Sequence, residues 1–255
     1  MQDYRLAIFA FVIITFIVLE RIFTRDRLVY SSEQFLKRIF LNFGLLGISQ
    51  ILIILFFRIS AVEFGNFLQV KQFGLLNIFK SNIVVHTIAT ILFMDFIIYW
   101  QHRIFHRVNF FWRFHKVHHS DQLLDASSAL RFHPFEMIFS MLLKFICIGL
   151  IGGNPLGILI FEILLSSLAI FNHSNLQLSN WLNTILEKLI VTPDFHKVHH
   201  SKERRLHDSN YGFNLALWDY LFLSYTKSST HLGDDFEMGI QEVDKSKSVQ
   251  FLAIL

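Results

Sequence analysis

Nineteen consecutive residues, Ile39 to Phe57, carry no charge. A run of that length crosses a bilayer only as a helix, because lipid offers no partner to an unpaired N–H or C=O. The same constraint recurs along the chain. Leu6 to Leu19 is an uncharged run of 14 residues, from which a first span starting near Tyr4 is expected. A secretory signal peptide is the competing reading, but no small-residue cleavage site follows and Glu20-Arg21 continues directly. Ser81 to Gln101 is interrupted only by His86 and Asp95 and ends in Tyr99-Trp100, an interfacial anchor. Pro134 to Ile151 and Pro155 to Phe171 are joined by Gly152-Gly153-Asn154-Pro155, a turn signal that makes them a hairpin. Residues 58–80 are mixed and read as an interfacial segment. Trp181 to Val191 is amphipathic, and the chain closes on an acidic patch, Asp234-Asp235-Phe236-Glu237, and a tail.

These runs predict an all-α, polytopic membrane protein with about four to five transmembrane helices and a cytoplasmic helical cap. The hydrophobic content of 53%, the mean hydropathy of +0.45 and the 30 phenylalanines agree. One cysteine, Cys147, excludes an internal disulfide, a Cys-ligated iron–sulfur cluster and a Cys-type zinc site. A net charge of +3, spread along the chain, argues for no nucleic acid partner. Positive charge reads instead as orientation: Arg21, Arg25, Arg27, Lys37 and Arg38 place the first loop in the cytoplasm. Alternation then puts 58–80 outside, and 102–133 and 173–255 inside. Lys144 and Glu162 lie within the hairpin, each about 13 Å from its turn at the helical rise. Charges at that depth are expected to face the protein interior and to pair.

Against this frame stands a repeated heptapeptide. Phe114-His115-Lys116-Val117-His118-His119-Ser120 recurs letter for letter as Phe195-His196-Lys197-Val198-His199-His200-Ser201. On a helix the first histidine of each copy shares a face with the last two. The adjacent pair is offset by about 100°, which suits two neighbouring metal ions. His102 and His106 form HxxxH at the end of the third span, and His173 ends the fifth. All nine histidines converge on one membrane face. Nine imidazoles exceed the ligands of one tetrahedral zinc and fit two metals, with iron, zinc, copper and nickel all open. No Glu-x-x-His pair, His-Glu-x-x-His, Gly-x-Ser-x-Gly or Gly-x-x-x-x-Gly-Lys occurs, which weighs against carboxylate-rich di-iron bundles, metalloproteases, lipases and ATPases.

Six stretches carry a resemblance to a known family: Asp95 to His106, His115 to Ser120, Ala129 to Glu136, Asn172 to Asn175, Thr192 to Ser201 and Asn210 to Phe222. With these the chain, over roughly residues 85–225, resembles the fatty acid hydroxylase / sterol desaturase superfamily of integral membrane di-iron enzymes. It is nearest to the bacterial sterol-desaturase-like branch that also resembles alkylglycerol monooxygenase. The resemblance implies two irons at the cytoplasmic face of a cell membrane, with His102, His106, His115, His118, His119, His173, His196, His199 and His200 as ligands. It implies a catalytic domain over 82–225, preceded by N-terminal helices and an interfacial segment (1–81) and followed by a polar tail (226–255). Some members have two histidines where this chain has only His173; a water held by Asn172 or Asn175 is one replacement, and His133 is another candidate unless it positions a loop. Behind the ligands, Asp95 is the first choice to accept from an imidazole, with Asp125, Asp194 and Asp219 after it; Trp218-Asp219 reads alternatively as structural. His86 is expected to be a core histidine, and His207 and His231 to face solvent.

The activity this implies is O2-dependent hydroxylation or desaturation of a lipid C–H bond. The chain holds no haem motif, iron–sulfur cysteines or dinucleotide loop, so electrons come from a ferredoxin, a cytochrome b5-like protein or a pterin. Lys202-Glu203-Arg204-Arg205 reads either as a docking site for an acidic carrier or as a solvated loop. Zinc in purified material, a same-fold enzyme acting on a fatty aldehyde, a non-catalytic metal- or haem-binding protein and a metal transporter are the alternatives.

Overall fold

The computed structural model describes residues 2–25, 32–78, 82–228, 232–233 and 236–243. Arg27, Lys80, Ser81, His231, Asp234, Asp235 and residues 244–255, on which parts of the expectations above fall, lie outside the described residues. The regular structure among the described residues is helical, with only isolated β-bridges. Among the described residues, four stretches are long and apolar enough to cross a membrane: Glu33–Ile78, Ile83–Arg107, Pro134–Ile151 and Pro155–His173. The chain is an integral membrane protein.

The expected first span is the helix α1 (Gln2–Ile22), 21 residues long. Leu6, Phe11, Ile14 and Val18 are exposed on it, and its other side packs along α8 (Pro155–His173). Glu20 is buried and accepts from the backbone N–H of Ala126 at 2.9 Å and of Asn175 at 3.2 Å, so α1 ends beside the histidine region.

The stretch 33–78 contains α2 (Ser32–Phe57), α3 (Ala61–Val70) and α4 (Leu75–Ile78). Ser60 starts α3 with a capping box, its hydroxyl accepting from Glu63 N while Glu63 accepts from Ser60 N. α5 (Ile83–Arg107) begins where Asn82 caps Val85 N. α7 (Pro134–Ile151) and α8 form the expected hairpin. Gly152 ends α7 in the left-handed region (φ 66°), and a Cβ there would stand 2.5 Å from the Phe73 carbonyl. Asn154 then caps α8 through Gly157 N and donates to Thr87 Oγ1 at 3.0 Å.

His86 Nε2 lies 3.2 Å from Gly152 O and is the core histidine it was expected to be. The hairpin turn, α3, α4 and the start of α5 therefore share one end of the bundle, and the clustered histidines occupy the other. Between them, Met94, Ile148, Ile158 and Phe161 are fully buried against Ala61, Val62 and Leu68. Lipid is as apolar as these side chains, so close dispersion packing holds this core together more than exclusion of water does. Within it, Lys144 Nζ donates to Glu162 Oε1 at 2.8 Å, and Arg5 Nη1 reaches Glu162 Oε2 at 2.8 Å.

Two of the orienting arginines have further roles. Arg38 is wholly buried and binds Asp121, Asp125, Ser128 and the Leu123 carbonyl. It ties α2 to the loop beneath the histidines. Arg25 pairs with Asp194.

Candidate metal centre

Four helix termini deliver the histidines. α5 runs past its apolar part to end on His102 and His106, one turn apart. After Val108, α6 (Asn109–His119) carries His115, His118 and His119. α8 ends on His173. α10 (Pro193–His199) is capped by Thr192, whose hydroxyl accepts from Phe195 N, and brings His196 and His199 with His200 just beyond. All nine side chains are buried.

Their donor atoms divide into two sets. One holds His102, His106, His115, His119 and His199; the other holds His118, His173, His196 and His200; within each set the donors lie within 4.8 Å of one another. The neighbours His118 and His119 part company, as do His199 and His200, which is what an offset of about 100° between successive helical residues produces.

Proton bookkeeping shows what these sets are for. The Nδ1 atoms of His102, His199, His118 and His173 lie 2.8, 2.7, 3.3 and 2.7 Å from the carbonyl oxygens of Tyr211, Ser209, Arg131 and Ala169. A carbonyl only accepts, so each Nδ1 carries the proton of a neutral ring and each Nε2 is a bare lone pair. Yet His102 Nε2 faces His199 Nε2 at 3.0 Å, and His118 Nε2 faces His173 Nε2 at 3.0 Å. Lone pairs so placed repel, and a cation between them turns the repulsion into ligation. Burial, aided by neighbouring imidazoles, holds His118, His119, His196, His199 and His200 far below the ordinary histidine range, and burial pushes His115 down to about 3. The rings are neutral near pH 7, as ligands must be. The residues present fit a pair of metal ions.

The carboxylate behind the ligands is not the one expected. Glu136, in the first turn of α7, meets His115 Nδ1 at 2.7 Å. Its sequence signals were an acidic residue opening an apolar span and its place at the end of the Ala129-to-Glu136 stretch. Asp95 instead accepts from Trp218 Nε1 at 2.8 Å and from Leu215 N, fastening α5 to α12 (Leu217–Leu221). Seven residues place it about 10 Å below His102 along the axis, out of reach of the imidazole. Asp125 binds Arg38 and Ser127, and Asp194 binds Arg25. Asp219 accepts from Tyr211 N, Gly212 N and Ser224 Oγ. It touches no imidazole but fixes the loop whose Tyr211 carbonyl receives His102. Burial raises its carboxyl to about 6. Asn172 donates to the Phe213 carbonyl, and Asn175 bonds Glu20 and Thr24.

His133 stays outside both sets. Its Nδ1 accepts from Phe135 N and caps α7. His207 corrects another expectation. It is only 7% exposed, with ring centroids 4.8 Å from His106 and 4.7 Å from both His119 and Trp112. With His106 and Asp208 it forms a third donor group, and Asp208 Oδ1 lies 3.7 Å from His106 Nδ1. Its polar neighbours, Arg204 and Arg205, point outward on the short helix α11 (Arg204–His207), and that is why the segment reads as exposed.

The fatty acid hydroxylase family model matches residues 87–224, more than half of the chain. An alkylglycerol monooxygenase from Homo sapiens is 32% identical over 141 residues, covering 52% of this chain and 29% of that protein. An ornithine lipid hydroxylase from Rhizobium tropici is 31% identical, over 54% of this chain and 42% of its own. A very-long-chain aldehyde decarbonylase from Oryza sativa subsp. indica is 31% identical, over 61% of this chain and 25% of its own. The chain thus spans less than half the length of these relatives. No solved structure matches it. The match covers all four helix termini that carry the nine histidines, together with Glu136, and on this ground the chain belongs to the fatty acid hydroxylase family.

Proposed function

We propose that the chain is an O2-dependent di-iron oxidoreductase that hydroxylates or desaturates a C–H bond of a membrane lipid, using electrons from a separate donor. The observation that carries this reading is the pair of opposed lone pairs in each of two adjacent histidine sets. His102, His106, His115, His119 and His199 hold one iron; His118, His173, His196 and His200 hold the other. Six Nε2 pairs stand 3.0–3.1 Å apart. With bonds of about 2.1 Å, adjacent corners of an octahedron lie about 3.0 Å apart and corners of a tetrahedron about 3.4 Å. The spacing lets each set share one ion, and the choice of iron rests on the likeness to the fatty acid hydroxylase family. The same spacing disfavours haem, whose two axial nitrogens stand about 4 Å apart. A transporter is disfavoured because Asp95, Lys144 and Glu162 are each occupied by a structural partner.

Iron here supplies the O2 activation needed to attack an unactivated C–H bond. The chain's own residues do the rest. Carbonyls of Tyr211, Ser209, Arg131 and Ala169 fix four tautomers, Glu136 orients His115, and burial keeps bulk water from the histidines. Apolar walls from α5, α7 and α8 carry the lipid chain. The relatives named for alkylglycerol and ornithine lipid support a lipid substrate. Arg103, Arg107, Arg113 and Lys116 lie at the histidine end and support a cytoplasmic orientation, in a bacterial inner membrane. Residues 82–225 form the catalytic domain, and the donor is a ferredoxin, a cytochrome b5-like protein or a pterin. Lys202, Arg204 and Arg205 are already engaged by Glu237, Asp208 and Glu203, which favours a solvated loop there over a docking site. Likeness to the aldehyde decarbonylase favours a second reading, a fatty aldehyde substrate.

Metal analysis of the purified protein, joined to lipid profiles of cells with and without it, tests the proposal. Two irons per chain and a new hydroxylated or unsaturated lipid are expected, and the product separates lipid from aldehyde chemistry. A Soret band, a single metal or an unchanged lipid profile overturns it.

A further inference from the structure

Helix α12 does not rest on top of the spans; it lies against the flank of α5. Trp218 bonds Asp95, and the Phe222 ring packs on Phe96, Tyr99 and Trp100 with centroids 6.0, 5.5 and 5.1 Å away. These α5 residues precede His102 by two to seven positions, about 3–10 Å deeper along the span. On the other side of His102, Ile104, Val108 and Phe110 are exposed beside Arg107, and Arg103 Nη1 donates to the Phe222 carbonyl at 3.2 Å. The level of α12 is therefore where the apolar belt of the spans meets its basic rim.

The outer side of this region is greasy. Leu221 is 59% exposed and Leu223 is 93% exposed. Leu223 also adopts φ 53°, a left-handed conformation that a bulky residue rarely takes, and it does so while presenting its side chain outward. Ala216 N donates to the Leu189 carbonyl, joining this segment to α9 (Asn180–Leu186) and its extension. There Trp181 is 72% and Leu189 65% exposed. Lys188 and Lys227 line a cavity of about 520 Å³ between the two segments. Four large apolar side chains exposed on two hydrogen-bonded segments are costly in water. Tryptophan at their rim and lysines able to extend to head groups are the composition of a membrane boundary.

We infer that the α9–α12 face is a membrane-inserted anchor. Leu221 and Leu223 lie among the acyl chains of the leaflet that surrounds the histidine end of α5; Trp181 and Leu189 sit at the head-group boundary, and Lys188 and Lys227 contact anionic head groups. The occupant of the face is the lipid leaflet, because the face continues the apolar belt of the spans. The inference does not depend on the metal or the reaction.

The test uses the full chain in vesicles of phosphatidylcholine and phosphatidylglycerol, in a Cys147→Ala background. Nitroxide labels are placed singly at Leu221→Cys and Leu223→Cys, with Leu92→Cys as a lipid-facing reference and Arg204→Cys as a water-facing one. Collision rates with dissolved oxygen and with a water-soluble nickel chelate are read by electron paramagnetic resonance. Both test labels are expected to match Leu92→Cys, high for oxygen and low for nickel. Nickel accessibility like that of Arg204→Cys overturns the inference. So does protection from both reagents, the mark of a second copy or another protein covering the face. Leu223 makes so little contact with the fold that its replacement leaves folding intact, and matching metal content in the two labelled variants checks this.

Discussion

His102 and His199 face each other Nε2 to Nε2 at 3.0 Å, although each has committed its ring proton to a carbonyl on the far side. The contact makes physical sense only around a cation. His199→Ala should therefore lower the metal content of the purified protein from two ions per chain towards one, while membrane insertion is retained. The same variant should melt earlier than the wild type, since ligand held at a hundredfold above its Kd stabilises a fold by about 2.7 kcal/mol. Unchanged metal content by mass spectrometry would falsify the pairing of these rings around an ion.

Glu136 Oε1 meets His115 Nδ1 at 2.7 Å, so its influence on a bound ion would run through that imidazole. Glu136→Gln keeps an acceptor but removes the carboxyl group behind the imidazole, and Glu136→Leu removes both. Metal affinity should fall by about 10–100-fold in the first and further in the second, read by titration against a chelator. The effect belongs to the five-histidine set alone, so release from the His118 set should keep its wild-type curve. Wild-type affinity in both variants would leave Glu136 a spectator.

How far this could be read from the chain follows from distance along it. The hairpin, the span of α5 and the division of His118 from His119 are local consequences of apolar length and helical angle, and all were legible. The supporting shell was not, because it is made by groups far apart in sequence. Tyr211 lies 109 residues from the imidazole it orients, and Asp95 is held by Trp218, 123 residues away. Arg38 looked like an orientation signal, and only the folded chain shows it sealed against Asp121 and Asp125. His207 was hidden for the opposite reason: a polar stretch reads as exposed unless something folds over it, and here Trp112 does.

Arg38 gives a stability prediction with a pH signature. Arg38→Met leaves two carboxylates buried without their cation, a change that costs roughly 3–5 kcal/mol. Burial alone would lift the Asp121 carboxyl, but Arg38 and Arg131 outweigh it and hold it below its ordinary range. The folded value is thus below the unfolded one, about 3.9. The stability it contributes is complete above that value and is lost as pH falls through the folded one. Arg38→Met should shift acid unfolding to higher pH, followed by circular dichroism. An unmoved acid midpoint would separate Asp121 from Arg38 energetically.

The Lys144–Glu162–Arg5 cluster gives the last prediction. Two cations share one carboxylate, so Glu162→Gln strands both and should destabilise strongly, on the order of 3 kcal/mol for a buried pair broken from one side. Adding Lys144→Gln should recover only part of the loss, because Arg5 still lacks its anion. Adding Arg5→Gln as well should recover more, although Arg5 is the more exposed of the two cations and its share is smaller. Thermal midpoints in one detergent, compared across the wild type, the three single variants, the double and the triple, measure this. Simple addition of the single costs, with no recovery at either step, would show that the three charges do not act together.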